Sequence, residues 1–365
     1  MPSYLYGPAT LVPPDAYPQA LIGEILRGQL EPGGFGERLS RQVYRNCGIN
    51  KRHSVISGYQ PGSADGVFFE RDTGAFRSPT TGERNDEYVR MARPMFVETA
   101  RKALENSGYA PADVTHVVTV SCTGFFAPGP DYYITRDLGL PTSVERYHVG
   151  FMGCYAAFPA LRMAAAFCAA RPDAVVLVVC LELCTLHLEP SEVIDQIIAA
   201  SVFADGAAGV VVSGRKPDGP GLELVASTTR IAPDSEDHMA WRIGDRGFEM
   251  TLSTYVPKVL GARIGELVDD LLAPTGFGRA DVRHWLVHPG GRAILDHVGE
   301  ALGLAEEALA PSRAVLAKYG NMSSATILFV MEEALRSASP VTGDLAYAMA
   351  FGPGLTVESA LLRVV

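Results

Sequence analysis

The segments "ETARKALENSGYAPADVTHVVTV" (residues 98–120) and "ELVDDLLAPTGFGRADVRHWLVH" (residues 266–288) follow one plan. Each reads as an amphipathic helix, a Gly-aromatic turn, an Ala-Asp-Val step and a β-branched strand. Ala112-Asp113-Val114 recurs at Ala280-Asp281-Val282, an offset of 168 (280 minus 112). The same offset carries "GCYAAFPALRMAAAF", which starts at Gly153, onto "NMSSATILFVMEEAL", which starts at Asn321. The chain is therefore expected to be a duplicated α/β protein. Apolar strands such as "AVVLVVCLEL" (174–183) predict sheets covered on both faces. The Pro/Gly-rich "SGRKPDGPG" (213–221) is the natural seam, dividing the chain into halves at about 1–218 and 219–365.

Composition narrows the functional classes. A chain of 365 residues with 47% hydrophobic content supplies a sizeable core. A net charge of -10 argues against nucleic acid or an anionic membrane as the main partner, so any basic site must be local. The six cysteines lie mostly in apolar runs without the spacing of a disulfide framework, which predicts reduced thiols and a cytoplasmic protein. "MPSYLYGPATLVPPDAYP" lacks a charged region followed by an apolar one and does not read as a secretory signal. Without secretion, the match of Asn321-Met-Ser to a glycosylation acceptor carries no meaning. Pro159 and Arg162 interrupt the apolar stretch 149–170, which suits a buried helix better than a membrane span.

Three residues can do chemistry. Cys154, in "VGFMGCYAAF" (149–158), precedes a helical run, where a helix N-terminus is expected to stabilise its thiolate and lower its pKa. His288 ends the strand "HWLVH" and runs into Pro289-Gly290-Gly291, at the sheet edge where ligands of α/β proteins collect. Asn321 heads the next helix, a position that suits an N-cap as well as a catalyst. If a pseudo-twofold relates the halves, the two helix N-termini and the strand end converge into a Cys/His/Asn site.

"GFMGCYAAF", "HPGGRAILD", "YGNMSSATILFVMEE", "FADGAAGVVV", "IAPDSEDHMAWRIG" and "FGPGLTVESALL" together resemble the signature segments of the type III polyketide synthases, the chalcone synthase-like enzymes, from about residue 38 to the C-terminus. The resemblance implies the thiolase fold, in a layered αβαβα arrangement, and a homodimer. It implies an acyltransferase in which Cys154 carries the acyl chain while His288 and Asn321 stabilise the enolate left by decarboxylating malonyl-CoA. Acyl-CoA and malonyl-CoA are the implied substrates, with no metal or organic cofactor. Two other readings are a ketoacyl synthase III-like enzyme making one condensation and a non-catalytic thiolase-fold binding protein. Product mass and acylation of Cys154 discriminate them.

The resemblance also assigns substrate contacts. Arg38, Arg41 and Arg45, at helical spacing, fall where the family places basic residues for coenzyme A. "GGFG" (33–36) is too weak a signal for a phosphate loop. Phe203 matches a gatekeeper, and Met250 stands where plant members have a second gatekeeper Phe. Cys122 falls near the active site, and Ser323, Gly352 and Pro353 lie in matching segments. Thr123, Ala127 and Cys184 match positions lining a long acyl tunnel in mycobacterial relatives, which favours a medium or long aliphatic starter. Trp241 replaces a plant Gly and is expected to fill part of the cyclisation cavity. Few extensions, ending in a pyrone or a resorcinol-type product, are the expected outcome.

Overall fold

The computed structural model describes residues 2–59, 66–70, 72–253, 256, 261, 263–337 and 339–365. The repeated plan is realised in both halves. In the first, the helix Thr81–Ser107 ends at Gly108, a 3-10 turn spans Pro111–Asp113, and the strand is His116–Ser121. In the second, the corresponding pieces are Ile264–Leu272, Gly276, Arg279–Asp281 and Val282–Val287. Gly108 and Gly276 both take left-handed backbone, at φ 71° and 78°, the conformation that ends a helix and that glycine adopts without penalty. The shared aspartates explain the Ala-Asp-Val step. Asp113 accepts a hydrogen bond from the Ala110 N–H at 2.9 Å, and Asp281 accepts one from the Gly278 N–H at 2.8 Å.

The strand pairing is duplicated too. His116–Ser121 runs parallel to Val175–Leu183, which pairs antiparallel with Asp205–Ser213. Val282–Val287 runs parallel to Leu345–Gly352, which pairs antiparallel with Thr356–Val364. Glu145–Gly150 extends the first half-sheet, and Gly221–Ile231 extends the second. The short strand Tyr4–Tyr6 lies between Asp205–Ser213 and Gly221–Ile231, so hydrogen bonds link the half-sheets into one ten-stranded sheet among the described residues.

Alternation along the strands builds the layers. Val176, Val178 and Cys180 face one core together with Ala346, Ala348 and Ala350, and both central helices, Ala157–Ala170 and Thr326–Ser337, pack there. The alanines keep the sheet surface low, which lets these helices approach closely. Val175, Leu177 and Val179 face a second core, filled from Thr81–Ser107. Leu345, Tyr347 and Met349 face a third, filled from Ile264–Leu272 and Arg292–Leu302. Helix, sheet, central helices, sheet and helix thus succeed one another, the layered αβαβα arrangement of the thiolase fold. All six cysteines are unpaired and buried. Among the described residues, no helix is long and apolar enough to cross a membrane.

Candidate active site

Cys154 stands on a turn between the strand Glu145–Gly150 and the helix that begins at Ala157. Phe151 and Gly153 both have positive φ, 58° and 83°, so the chain reverses sharply before the cysteine. A Cβ on Gly153 would lie 2.6 Å from Cδ of Pro353, and one on Gly352 would lie 2.5 Å from the Tyr155 ring and 3.4 Å from the Cys154 nitrogen. The Gly352-Pro353 pair thus closes down on the cysteine turn, and glycine on both chains permits the contact.

His288 follows the strand Val282–Val287, and its N–H donates to the Met349 carbonyl at 2.8 Å. The residue is 1% exposed, and neither ring nitrogen has a hydrogen-bond partner among the described residues. A buried imidazole with both nitrogens free is aimed at something other than the protein. Asn321 does not head a helix directly. It forms a parallel bridge with Phe203, its Oδ1 accepts from the Ser323 N–H at 2.8 Å, and a 3-10 turn, Ser323–Ala325, precedes the helix Thr326–Ser337. Its Nδ2 makes a long 3.3 Å bond to the Gly290 carbonyl. With Oδ1 committed, the amide NH2 is the end left to donate.

Cys154, His288, Asn321 and Phe203 line one cavity of about 300 Å³, whose other walls include Met239, Val256 and Phe351. The electrostatics correct the sequence expectation for the thiol. Burial pushes Cys154 up to about 11, outweighing hydrogen bonds from Ser323 and Asn321 that favour the thiolate. Burial pushes His288 down to about 3. Thiol and imidazole therefore rest neutral. Both line the same cavity, uncharged.

A second cavity, of about 250 Å³, is lined by Cys184, His187, Ala199, Trp241, Arg246 and Phe248 among others. Phe203 and Met250 line both cavities, so these two side chains form the partition. Trp241 stands opposite Met250 in the hairpin Met239–Gly244 and Gly247–Leu252, and its indole N–H donates to the Cys122 carbonyl at 2.8 Å. The ring is pinned as a wall of the second cavity. Cys122 Sγ lies 3.6 Å from Ser323 Oγ.

Of the three expected tunnel residues, Cys184 lines the second cavity, Thr123 Oγ1 donates to Glu182 at 2.8 Å, and Ala127 lies exposed on its loop, open to a second chain of the expected homodimer. Arg38, Arg41 and Arg45 share the helix Phe35–Asn46 and are exposed. Val43 and Asn46 of that helix line the first cavity. Arg41 pairs with Glu37, and the Gly36 N–H of the "GGFG" loop donates to Glu192 at 2.9 Å.

Sequence reasoning passed over Glu182 and His187. Glu182 is fully buried and accepts from the Cys122 N–H and from Thr123, while Ser324 donates to it from the other half. Burial raises its pKa. An acid inside the apolar run "AVVLVVCLEL" was the available signal. His187 Nε2 bonds the Thr123 carbonyl at 2.8 Å, Nδ1 accepts from the Phe248 N–H at 3.0 Å, and the ring stacks on Phe248. No group of three or more metal-ligating side chains occurs among the described residues.

Comparison with known proteins gives the same picture. Family models for chalcone and stilbene synthases match the chain twice, the N-terminal domain over residues 70–217 and the C-terminal domain over 223–365. An alpha-pyrone synthesis polyketide synthase-like protein, Pks18 of Mycobacterium tuberculosis, is 32% identical over 92% of this chain and 84% of its own length. Probable polyketide synthase 1 of Dictyostelium discoideum is 30% identical over 99% of this chain, which spans only 11% of that relative. Among solved structures, the C-terminal type III polyketide synthase domain of Steely1, a type I/III hybrid from Dictyostelium, superposes with a TM-score of 0.91 at 30% identity, covering 100% of this chain and 99% of that domain.

Proposed function

The chain belongs to the chalcone and stilbene synthase family and is a type III polyketide synthase, and we propose that it extends a medium or long aliphatic acyl-CoA with malonyl-CoA and closes the product as a pyrone or a resorcinol-type ring. The observation that carries the proposal is one apolar cavity that holds Cys154, Asn321 and a His288 whose ring nitrogens have no hydrogen-bond partner among the described residues.

In the first step the Cys154 thiol passes its proton to the His288 imidazole, and the thiolate attacks the starter carbonyl. The C–S bond to coenzyme A breaks, and the departing thiolate takes the proton back. Malonyl-CoA then binds with its thioester oxygen toward His288 and Asn321. The C–C bond to the malonyl carboxylate breaks, carbon dioxide leaves, and the electron pair becomes an enolate held by two N–H donors. The neutral Asn321 amide donates without supplying a proton that would quench the carbanion. The enolate carbon attacks the Cys154 thioester, forming a C–C bond and expelling the Cys154 thiolate. The lengthened chain, now on coenzyme A, returns to Cys154 for the next round.

Arg38, Arg41 and Arg45 supply positive charge for the coenzyme A phosphates beside the first cavity. Growth of the chain past Phe203 and Met250 fills the second cavity, where Trp241 limits the number of extensions. That cavity sets apolar wall from Cys184, Ala199 and Phe248 alongside the polar His187, Glu189, Gln196, Arg246 and Glu249. Cys122, Ser323, Gly352 and Pro353 shape the surroundings of the thioester. We further propose a cytoplasmic homodimer of chains folded as halves 1–218 and 219–365, acting without metal or organic cofactor.

The test is incubation with malonyl-CoA and saturated acyl-CoAs of two to sixteen carbons, with product masses read by liquid chromatography and mass spectrometry. Products that keep a chain of eight carbons or more and add two or three malonyl-derived units support the proposal. Products from short or aromatic starters alone overturn the aliphatic assignment.

A further inference from the structure

The helix Ile194–Val202 ends at the partition between the cavities, and its last carbonyls point into buried protein. A helix C-terminus leaves such carbonyls without intrahelical partners and carries partial negative charge. Here each is taken. The Ala200 carbonyl accepts from Tyr44 Oη at 2.9 Å and from Arg52 Nη1 at 2.7 Å. The Ser201 carbonyl accepts from Gln19 Nε2 at 2.7 Å. The Val202 carbonyl accepts from the Asn321 N–H at 2.8 Å, and the Phe203 carbonyl from Arg52 Nη1 at 2.6 Å. Arg52 Nε donates to Gln19 Oε1 at 2.8 Å, which joins the donors into one unit.

Arg52 is 0% exposed, and among the described residues no carboxylate comes within ion-pairing distance of it. A buried guanidinium without an anion is expensive unless fixed dipoles replace one. The carbonyl end of this helix does so in part: Nη2 has no hydrogen-bond partner among the described residues, and the buried Asp205 acts on the guanidinium from beyond contact distance. The cost is met where the structure needs a rigid point, because Phe203 is bridged to Asn321 and the Ala204 N–H returns to the Asn321 carbonyl at 2.8 Å. One cation thereby holds the backbone of the partition residue and, one hydrogen bond further, that of the amide donor.

We propose that Arg52 is a positioning residue for decarboxylation and chain partition: its Nη1 fixes the Ala200 and Phe203 carbonyls, and with them the placement of Phe203 and Asn321, while the backbone turn that carries Cys154 is set by the Gly352-Pro353 contact. The decarboxylation part rests on the reading of Asn321 as the enolate donor. The partition part rests only on Phe203 lining both cavities.

Arg52→Lys keeps the charge but loses the planar fork that spans several acceptors. In this variant the rate of Cys154 alkylation by iodoacetamide is expected to stay within about twofold of the parent. Malonyl-CoA decarboxylation should fall on the order of tenfold through misplacement of the donor, and the distribution of product lengths should shift. Gln19→Met, which removes the Arg52 acceptor and the Ser201 donor without touching the charge, should lower decarboxylation about threefold and serves if Arg52→Lys gives no cooperative melting transition. Equal loss of alkylation and decarboxylation, or no loss of either with an unchanged product distribution, overturns the proposal. Asn321→Ala separates the two readings. If it decarboxylates at the parental rate, the enolate assignment fails, and the position of Arg52 is judged on product length alone.

Discussion

Equivalent points of the two halves carry opposite tasks. The offset of 168 places Cys154 opposite Met322, His288 opposite Val120, and Asn321 opposite Gly153. Met322 is 0% exposed and packs over Gly206, where a Cβ would lie 2.3 Å from its sulfur, and Val120 belongs to the central core. At these points each half spends on packing what the other spends on chemistry. On the proposed mechanism, one backbone plan thus delivers a nucleophile from the first half and a base and an amide donor from the second, with the fold unchanged by the exchange. The difference teaches that the duplicated framework fixes where reacting groups can stand, and side-chain identity alone decides which do.

The sharpest way to break this comparison is at Cys154. Cys154→Ala should lower product formation on the order of ten-thousand-fold, the scale on which loss of a nucleophile is felt. Malonyl-CoA decarboxylation should survive, because its donors belong to the other half. Loss of both reactions in a variant with parental melting behaviour would show that the division of labour is wrong. Asn321→Asp reverses the pattern. An acid in place of the amide should cut decarboxylation by about 100-fold or more while leaving Cys154 open to acylation, as a single-turnover assay with a radiolabelled acyl-CoA would reveal.

The proton transfer between the halves gives a smaller and subtler signature. With its pKa raised to about 11, Cys154 alone ionises only as the pH climbs towards that value. His288, lowered to about 3, is neutral above that pH and free to take the thiol proton. Each charge of a thiolate–imidazolium pair stabilises the other, so the parental thiolate forms well below about 11. In His288→Ala this help is gone, and the iodoacetamide reaction should quicken about tenfold per pH unit from 7 towards 11 and run about tenfold slower than the parent at pH 7. Superimposable pH profiles for the two proteins would mean that the imidazole is not the proton acceptor.

Much of this was legible in the sequence, for a physical reason. The duplicated Ala-Asp-Val steps are capping devices whose aspartates make short local hydrogen bonds, so they mark the same 3-10 turn in both halves. That Cys154, His288 and Asn321 come to one cavity was legible through glycine-rich turns that only a tight approach requires. What sequence reasoning misplaced depends on burial and long-range partners. The helix after Cys154 suggested a lowered pKa, but the helix begins three residues later, and desolvation decides the sign. Thr123 was matched as a tunnel residue, yet the direction of its hydroxyl is set by Glu182, 59 positions away along the chain. Arg52 looks like an ordinary surface arginine in "NKRHS", because nothing local announces the helix end 148 residues on.

The smallest expected effect tests the comparison at its quiet end. If Met322 is only packing, Met322→Leu keeps volume and polarity and should cost less than about 1.5 kcal/mol, with product formation within about twofold of the parent. Chemical denaturation and the same product assay measure both. The substitution lies next to Asn321, whose backbone is pinned on both sides by Val202 and Ala204, so a modest repacking of the side chain against Gly206 has no path to the amide. A fall of tenfold or more with stability intact would mean that the counterpart of the nucleophile helps to hold the donor. The two halves would then share a catalytic task at the one pair of positions where the comparison sets a reacting sulfur against an inert one.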